Sequence, residues 1–420
     1  MASTYLTRTF GSSTNRKKCT ISFWVKKGFS GDTQQPFCSY ANNDNRYQIY
    51  FESTDELSVY NKDNGSDTIY YKTNAKYRDP NAWYHVYVGV DLTLSTASDR
   101  VQIYVNGERI TSFASTTVPN INTDLSFGNN AFVFNLGRYG GTGHHLNGLL
   151  SHFYLVDGSL IAHTEFGTTD STTGEWKINT NPTISDFGNQ GCKLFIDDNS
   201  VNDQSGKGNN MTLAAGTLTK TEDNPSNIFA TFNPVYNSGG TVTYSAGNTR
   251  FAESDNQWKT TFSTLGASSG KYYAEFKCNG SWMLVGVADY NVTKSGTADR
   301  NFASSTDITT QGYGIYNHDG NLYYRGSNTS YSASYGSGDI IGVALDCDNN
   351  KVFFAKNGTW QNSADPTSAG TGFSMTATDA TYVFAIAVQQ DECHANFGNG
   401  YFNTTAVSSA GTNASNLGIF

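Results

Sequence analysis

Two segments of this chain, one in each half, predict the same tight hairpin. They are VYVGVDLTLSTASDRVQIYVNGERI (86–110) and GDIIGVALDCDNNKVFFAKNGTW (338–360). Each has an apolar strand ending in Asp, a polar turn, an alternating strand and then Asn-Gly. Asn106-Gly107 and Asn357-Gly358 supply the positive φ angles that a two-residue hairpin turn requires. The pattern predicts an all-β fold of two antiparallel β-sandwiches in tandem.

The length and composition agree with this fold class. The chain has 420 residues, too many for one sandwich and suited to two of about 200 residues each. It contains 26 Tyr, 26 Phe and 42 Gly but only 7 Pro. Aromatic and β-branched strands separated by polar turns produce such a composition, and no long helix is predicted.

Charge and hydropathy limit the classes of partner. The formal net charge is −9, whereas nucleic-acid binding needs clustered Lys and Arg. The one basic run, at 16–18, is typical of a solvated strand edge. The N-terminal residues carry no apolar core of signal-peptide length, and no stretch approaches a membrane span. We therefore expect no nucleic-acid partner, no membrane insertion and synthesis in a cytoplasm.

Cysteine spacing indicates neither a zinc site nor a dense disulfide framework, because there are no CxxC pairs. Several cysteines lie inside apolar strands, which favours buried, reduced thiols. The six cysteines are Cys19, Cys38, Cys192, Cys278, Cys347 and Cys393.

The first half carries a specific family resemblance. Within CTISFWVKKG, Ile21, Phe23 and Val25 alternate onto one strand face. This segment resembles the opening strand of the concanavalin A-like lectin and laminin-G-like superfamily, and NAWYHVYVGVD followed by VQIYVNG resembles the central signature of that superfamily. The resemblance implies a jelly-roll domain over 1–215, with Trp83 packed under the sheet.

Two further segments resemble lectin-like proteins of tailed bacteriophages, especially marine ones. They are LLSHFYLVDGSLIAHTEFGTTDSTTGEWKIN (149–179) and NDQSGKGNNMTL (202–213). This resemblance implies a protein on the virion surface, made in the cytoplasm of the host.

The second half resembles a SPRY domain. The blocks GKYYAEF, WMLVGVAD, GDIIGVALD and CHANFG follow one another in the order of that family between 270 and 398. The resemblance places a SPRY-like sandwich over 241–402. A linker with two prolines is predicted over 216–240, and an extended C-terminal tail over 403–420.

Catalytic and metal-binding arrangements are weakly represented. Glucanases of the concanavalin A-like superfamily need carboxylates that alternate along one strand. The nearest candidate is FESTDEL, with Glu52, Asp55 and Glu56, but Glu52 and Asp55 would fall on opposite faces of a strand. We therefore predict no enzymatic activity. His144 and His145, being adjacent, would point apart on a strand and do not indicate a metal site.

Calcium is the one cofactor that the sequence leaves open, and none is otherwise predicted. The candidate ligands Asp197, Asp198 and Asp203 crowd one short region. The alternative, which we favour, is turn chemistry in which Asp and Asn side chains bind their own backbone.

Glycan recognition would use aromatic rings and polar side chains in loops. Segments 139–147, 60–71 and 328–335 have these ingredients, although Tyr suits any protein interface. The candidate binding residues are Tyr139, His144, His145, Tyr331 and Tyr335.

The sequence thus predicts a non-enzymatic structural or adhesion protein of a bacteriophage virion. It would bind host-surface or environmental glycans, or other virion proteins, as a homo-oligomer on the particle. A tip adhesin or a capsid decoration protein fits better than a long tail fibre, since no shaft pattern occurs. One alternative is a protein-interaction module that binds peptides through the SPRY domain, and another is a glycan hydrolase.

Overall fold

The computed structural model describes residues 4–141, 143–237, 241–290, 301–303, 312–376, 380–408 and 410–420. The chain divides into two compact units, the first comprising Met1–Lys220 with Asn224–Ile228 and the second Thr221–Asp223 with Phe229–Phe420. Both units consist of antiparallel sheets, which confirms the predicted all-β fold with two sandwiches. Within the described ranges, no helix is long and apolar enough to cross a membrane.

The first unit contains sixteen described strands. They are β1 (Tyr5–Thr9), β2 (Lys18–Lys27), β3 (Gln34–Asn42), β4 (Asn45–Phe51), β5 (Glu56–Asp63), β6 (Ser66–Lys76), β7 (Trp83–Asp91), β8 (Val101–Val105), β9 (Glu108–Arg109), β10 (Phe113–Thr117), β11 (Val133–Leu136), β12 (Gly148–Asp157), β13 (Gly167–Thr169), β14 (Trp176–Ile178), β15 (Cys192–Leu194) and β16 (Thr212–Ala215). Single turns of 3₁₀ helix occur at Ala97–Asp99 and His163–Glu165.

These strands form a sandwich of two large sheets and a small hairpin. One sheet has eight strands in the order β10-β6-β5-β4-β3-β11-β1-β16, and the other has six in the order β15-β12-β2-β7-β8-β9. The core between them takes alternate residues from both sheets, as the sequence pattern requires. Ile21, Phe23 and Val25 all lie in this core, as predicted.

Trp83 lies outside that core, on the opposite face of the six-stranded sheet. It packs with Trp24 and Trp176 in a separate buried cluster. The position follows from pairing, because Trp83 lies opposite Lys26, one residue out of phase with Val25.

The second unit contains seventeen described strands. They are β17 (Phe232–Asn237), β18 (Val242–Ser245), β19 (Arg250–Glu253), β20 (Lys259–Ala267), β21 (Lys271–Cys278), β22 (Met283–Asp289), β23 (Gly312–Tyr316), β24 (Asn321–Tyr324), β25 (Ser327–Ser330), β26 (Ile340–Asp346), β27 (Lys351–Lys356), β28 (Thr359–Trp360), β29 (Phe373–Ser374), β30 (Tyr382–Val388), β31 (Glu392–Asn396), β32 (Tyr401–Phe402) and β33 (Thr405–Ala406). A single 3₁₀ turn occurs at Ala369–Thr371.

Two sheets again enclose a core. The first has the order β17-β20-β30-β22-β23-β24-β25, and the second has the order β18-β19-β31-β21-β26-β27-β28, with β29 beside β27. Val285, Val287 and Ile386 from the first sheet meet Phe276 and Val343 from the second.

Two boundaries differ from the sequence prediction. The second half of the proposed linker forms β17, which pairs with β20, because Phe232 inserts its ring into the second core and is 1% exposed. The C-terminal residues fold back onto the same unit instead of extending. The Ile419 N–H donates to the Gly398 carbonyl at 2.9 Å, and the Phe420 ring lies 5.1 Å from that of Tyr273.

The two Asn-Gly turns adopt the predicted conformation. The φ angles are 49° and 77° at Asn106-Gly107, and 48° and 78° at Asn357-Gly358. Each Asn side chain also accepts a hydrogen bond from a third strand. His85 N–H on β7 donates to Asn106, and Ile340 N–H on β26 donates to Asn357, both at 2.8 Å. The turns therefore tie three strands together rather than two.

The surroundings of the two glycines differ, which yields a testable contrast. A Cβ added to Gly107 would lie 2.2 Å from Trp176 Cε3, whereas one added to Gly358 would meet no atom within 4 Å. We expect Gly358→Ala to cost about 1–2 kcal/mol of unfolding free energy through backbone strain. Gly107→Ala adds a steric term, for a total of about 2–5 kcal/mol.

Pulse proteolysis in urea, with fragments of each unit identified by mass spectrometry, measures both effects. Equal losses in the two units would contradict the contact between Gly107 and Trp176.

Candidate functional site

Five tyrosines form a strip on the outer face of the eight-stranded sheet in the first unit. The tyrosine strip consists of Tyr40 on β3, Tyr50 on β4, Tyr60 on β5, Tyr70 on β6 and Tyr139 in the segment after β11. All five are half-buried. Their strand neighbours Ile49, Val59 and Ile69 are fully buried in the core, so alternation directs the tyrosines outward.

Strand register aligns the middle of the strip. Tyr60 pairs with Gln48 on one side and with Tyr70 on the other, while Tyr50 pairs with Ser58. The rings of Tyr60 and Tyr70 meet edge to face, with centroids 5.8 Å apart. This arrangement is favourable for aromatic pairs and holds both rings in place.

Charged and polar groups lie beside the rings of the strip. The Arg46 guanidinium lies 5.0 Å from the Tyr60 ring centroid, and its Nε donates to Gln48 Oε1 at 2.8 Å. The Tyr60 hydroxyl donates to the Asp67 carboxylate. Both donors and acceptors are therefore held next to aromatic surface.

A carboxylate lies at the far end of the strip. Glu52 Oε1 accepts hydrogen bonds from the Ser58 hydroxyl at 2.7 Å and from the Tyr70 hydroxyl at 3.5 Å. Burial, followed by the charge of Glu52, raises the pKa of both Tyr50 and Tyr70. These phenols stay protonated and able to donate hydrogen bonds at neutral pH.

Three predicted residues lie in segment 139–147, where Tyr139 forms one end of the strip. The Tyr139 hydroxyl donates to Asn43 Oδ1 at 2.8 Å, and its ring lies 5.3 Å from Tyr40. His144 is exposed, 6.1 Å from the Tyr139 ring, and His145 is half-buried. His144 therefore adds an imidazole at this end of the strip, whereas the ring of His145 lies 5.8 Å from that of Tyr5, outside the strip.

The other two predicted residues are not on the surface, and the expectation that they are exposed is wrong. Tyr331 and Tyr335 are 5% and 6% exposed and belong to the core of the second unit. The chain after β25 turns inward, so the Tyr335 hydroxyl reaches the carbonyls of Met283 and Ile315, at 3.1 and 2.8 Å. Burial raises the pKa of Tyr331 to about 12.

Tyr40 and Tyr50 are not among the binding residues predicted from the sequence. The available signal was alternation in RYQIYF, where a buried Ile49 directs Tyr50 to the other face. Segment 60–71, expected to be a loop, is instead the end of β5, an Asn64-Gly65 turn and the start of β6.

The carboxylates of FESTDEL are engaged in structural contacts. Asp55 Oδ1 lies 2.8 Å from Lys27 Nζ in a buried ion pair. Glu56 lies near Lys72 and Lys76, at 3.7 and 3.2 Å. Burial opposes ionisation of Glu56, but hydrogen bonds from Thr54 and Lys76 outweigh it and lower the pKa to about 2.

Among the calcium candidates, the Asp203 carboxylate already accepts hydrogen bonds from backbone N–H groups. Asp203 Oδ1 accepts from the N–H groups of Lys193 and Ser205, and Oδ2 accepts from Asn209 N–H at 2.9 Å. Asp198 Oδ1 accepts from Ser200 N–H at 2.7 Å. These contacts are of the turn type that the sequence favours over calcium binding for this region.

A buried Ser–His pair lies on the six-stranded sheet. His85 Nε2 is 2.8 Å from Ser22 Oγ, and His85 Nδ1 accepts from Trp176 Nε1 at 3.0 Å. The proton is therefore on Nε2, which donates to Ser22. Both residues are at most 1% exposed. Because Nε2 carries the proton, it has no free lone pair with which to accept the Ser22 proton, so His85 in this tautomer does not activate Ser22 as a nucleophile.

The second unit has an aromatic patch in its first sheet, around the first residues of β20 and β22 and the last residue of β23. The aromatic patch comprises Trp258, Trp282, Tyr316, His318 and Tyr323. Trp282 is 45% exposed, and its ring stacks on His318 at 5.8 Å with 8° between the ring planes.

Two carboxylates adjoin the aromatic patch. Asp391 Oδ2 accepts from Trp282 N–H at 3.0 Å, and Asp319 Oδ2 accepts from the Tyr323 hydroxyl at 2.9 Å. The patch combines aromatic faces with negative charge, a combination that suits cationic groups.

The fold defines two β-sandwich domains, and the family comparisons agree. Residues 2–164 match the family model of the concanavalin A-like lectin/glucanases superfamily, laminin-G type, and residues 271–400 match the SPRY domain model. The chain carries a concanavalin A-like domain followed by a SPRY domain, as its sequence blocks indicate.

Solved structures similar to this chain include the SPRY domain of human HERC1. It is 17% identical, covers 39% of this chain and 96% of its own, and has a TM-score of 0.29. The SAP-like pentraxin from Limulus polyphemus is 19% identical over 39% of this chain and 74% of its own, with a TM-score of 0.29. No curated protein matches the chain.

Burial of His85 makes the first unit sensitive to acid. Burial, and secondarily His163, lowers the pKa of His85 to about 3, whereas an unfolded histidine titrates near about 6.5. Between these two pH values His85 is protonated in the unfolded chain but neutral in the folded unit. The free energy of unfolding therefore falls as pH drops from about 6.5 towards 3.

We expect His85→Gln to reduce this dependence by about one proton in denaturant titrations across that range. The exposed His144→Gln is the matched control and should keep the full slope. An unchanged slope in His85→Gln would contradict the assignment.

Proposed function

We propose that this chain is a non-enzymatic adhesion protein on the surface of bacteriophage particles, which binds glycans through the tyrosine strip. The phage context rests on the sequence resemblance of 149–179 and 202–213. The binding mode rests on the strip, and this is the observation that carries the proposal.

The chemistry of the strip suits sugars. Aromatic rings offer apolar faces for the C–H faces of a pyranose. The Arg46 guanidinium and the Asn43 amide supply hydrogen-bond donors, and Glu52, Asp67 and the tyrosine hydroxyl oxygens supply acceptors. Because the rings are held by packing and by hydrogen bonds to neighbours, little side-chain freedom is lost on binding.

The dimensions favour a glycan chain over a single sugar. The strip crosses four adjacent strands, β3 to β6. Three strand spacings amount to about 14 Å. A ligand that touches Tyr40 and Tyr70 together must therefore extend beyond one ring.

Glycan binding can be tested by calorimetry with host capsular or lipopolysaccharide glycans. We expect Tyr60→Ala and Tyr70→Ala each to weaken binding about 10-fold or more, since a lost aromatic contact costs on the order of 1–2 kcal/mol. The matched control is Tyr272→Ala, which removes a tyrosine that is 47% exposed in the second unit.

Equal affinity of the Tyr60, Tyr70 and Tyr272 variants for a glycan that binds the parent protein would exclude the strip as its site. New reducing ends after incubation with the glycan would instead support a hydrolase.

Placement on the particle needs its own experiment. Mass spectrometry of purified virions should detect the chain, and gold-labelled antibody should mark either the tail tip or the capsid. Symmetric virion sites favour a homo-oligomer and contacts with other virion proteins. Absence from purified particles would overturn the virion assignment while leaving glycan binding open.

A second candidate function is peptide binding by the SPRY domain, favoured by the aromatic patch. The stacked Trp282 and His318 rings are exposed beside Asp391 and Asp319. Such a surface suits a segment of another protein that presents Lys or Arg over an aromatic face.

Screening an immobilised peptide library would test this candidate. We expect enrichment of peptides with Lys or Arg, and Trp282→Ala should weaken their binding at least about 10-fold. Tyr272→Ala again serves as the control. Enrichment of acidic peptides, or binding that survives in the Trp282 variant, would count against the patch.

A further inference from the structure

Cys278 and Cys393 lie directly opposite one another on neighbouring strands of the second unit. β21 and β31 pair antiparallel over four rungs, from Glu275 with Asn396 to Cys278 with Cys393. Both cysteines are free, and both are buried in the same core cluster at 0% exposure. Their side chains point to the same side of the sheet, since directly paired residues share a face.

The backbone bonds define the type of pair. The Cys278 N–H donates to the Asp339 carbonyl at 2.9 Å, and the Cys278 carbonyl accepts from Gly338 N–H at 2.8 Å. Both polar groups of Cys278 therefore point towards β26, away from Cys393. Relative to β31, this is a non-hydrogen-bonded pair.

Bonds on the other strand agree. The Ala395 N–H donates to the Thr249 carbonyl at 2.7 Å, and the Asp391 carbonyl accepts from Glu253 N–H at 2.9 Å. Cys393 lies midway between Asp391 and Ala395, so its polar groups also point towards β19 and away from Cys278.

Non-hydrogen-bonded pairs bring side chains closest. Their Cα atoms are about 4.5 Å apart, and disulfides span Cα distances of about 4.4–6.8 Å. The spacing is at the short end of that range. A disulfide here would be strained, and strained disulfides are the more easily reduced ones.

The position in the ladder provides access. The pair is the last rung, and the strand ends continue into turns at 279–281 and 389–391. Burial raises the pKa of the Cys278 thiol to about 11, which keeps it unreactive while the rung is closed. Strand ends open locally at lower cost than strand centres, so fraying exposes both thiols together.

We propose that Cys278 and Cys393 form a reversible disulfide, with a small-molecule disulfide such as oxidised glutathione as the oxidant. One cysteine thiolate attacks a glutathione sulfur, forms a mixed disulfide and releases one glutathione. The second cysteine then attacks the protein-bound sulfur and releases the other. The two thiol protons end on the two reduced glutathione molecules. This modification site is independent of the proposed glycan binding.

The remaining cysteines provide a contrast, since other residue types lie opposite them on the paired strands. Cys19 faces Val90 and Asp157, Cys38 faces Gln48 and Asn135, and Cys192 faces Leu155. Cys347 follows β26 and is buried in the same unit, which makes Cys347→Ala the matched control.

The test incubates the full chain with oxidised glutathione in sub-denaturing urea, followed by alkylation and peptide mapping. We expect two of the six thiols to be lost and one cross-linked peptide pair, Cys278 with Cys393. Cys347→Ala should keep the cross-link, and Cys278→Ala and Cys393→Ala should each abolish it.

The oxidised second unit should also unfold about 5–10 °C higher than the reduced one, because the bond closes a long loop. Addition of reduced glutathione should reverse both changes. Three outcomes would overturn the proposal: six free thiols after treatment, glutathione adducts without a cross-link, or a cross-link between other cysteines. The mapping of the parent protein decides the matter even if a variant fails to fold.

Discussion

Cross-strand register is the constraint on which the rest of this structure depends. In a sandwich, one face of each strand must be buried, and a shift of one residue would exchange that face for the other. Burial of Ile49, Val59 and Ile69 therefore fixes where Tyr50, Tyr60 and Tyr70 emerge. The tyrosine strip therefore lies on the outer face because the strand register that buries the core residues also directs the tyrosines outward.

Register also accounts for the features of the second unit. The same alternation that buries Phe276 and Val343 places Cys278 opposite Cys393 on the core side. Asn357 adds a further constraint, because its side chain accepts a hydrogen bond from Ile340 on β26, a strand that its own turn does not connect. Asn106 does the same in the first unit. Sandwiches that match two different families thus use one turn residue both to reverse the chain and to hold a third strand.

Local patterns predicted part of this well and part of it poorly. The Asn-Gly turns and the core face of β2 depend on nearest neighbours in sequence, so their prediction was correct. Tyr331 and Tyr335 looked like loop residues because Ser and Asn surround them, yet the chain after β25 turns into the core. Phe232 looked like part of a linker because the prolines nearby hide the alternation of its strand. In each case the deciding contact is distant in sequence.

The sequence by itself determined the all-β class, the two hairpins and the two family resemblances, because turn chemistry and alternation are local. Only the tertiary structure decided which tyrosines share a surface, since Tyr40, Tyr60, Tyr70 and Tyr139 come from separate strands and a loop. It also decided that Cys278 meets Cys393 across 115 positions of sequence. Such partners are chosen by strand order in the sheet, which the pattern of a single strand does not contain.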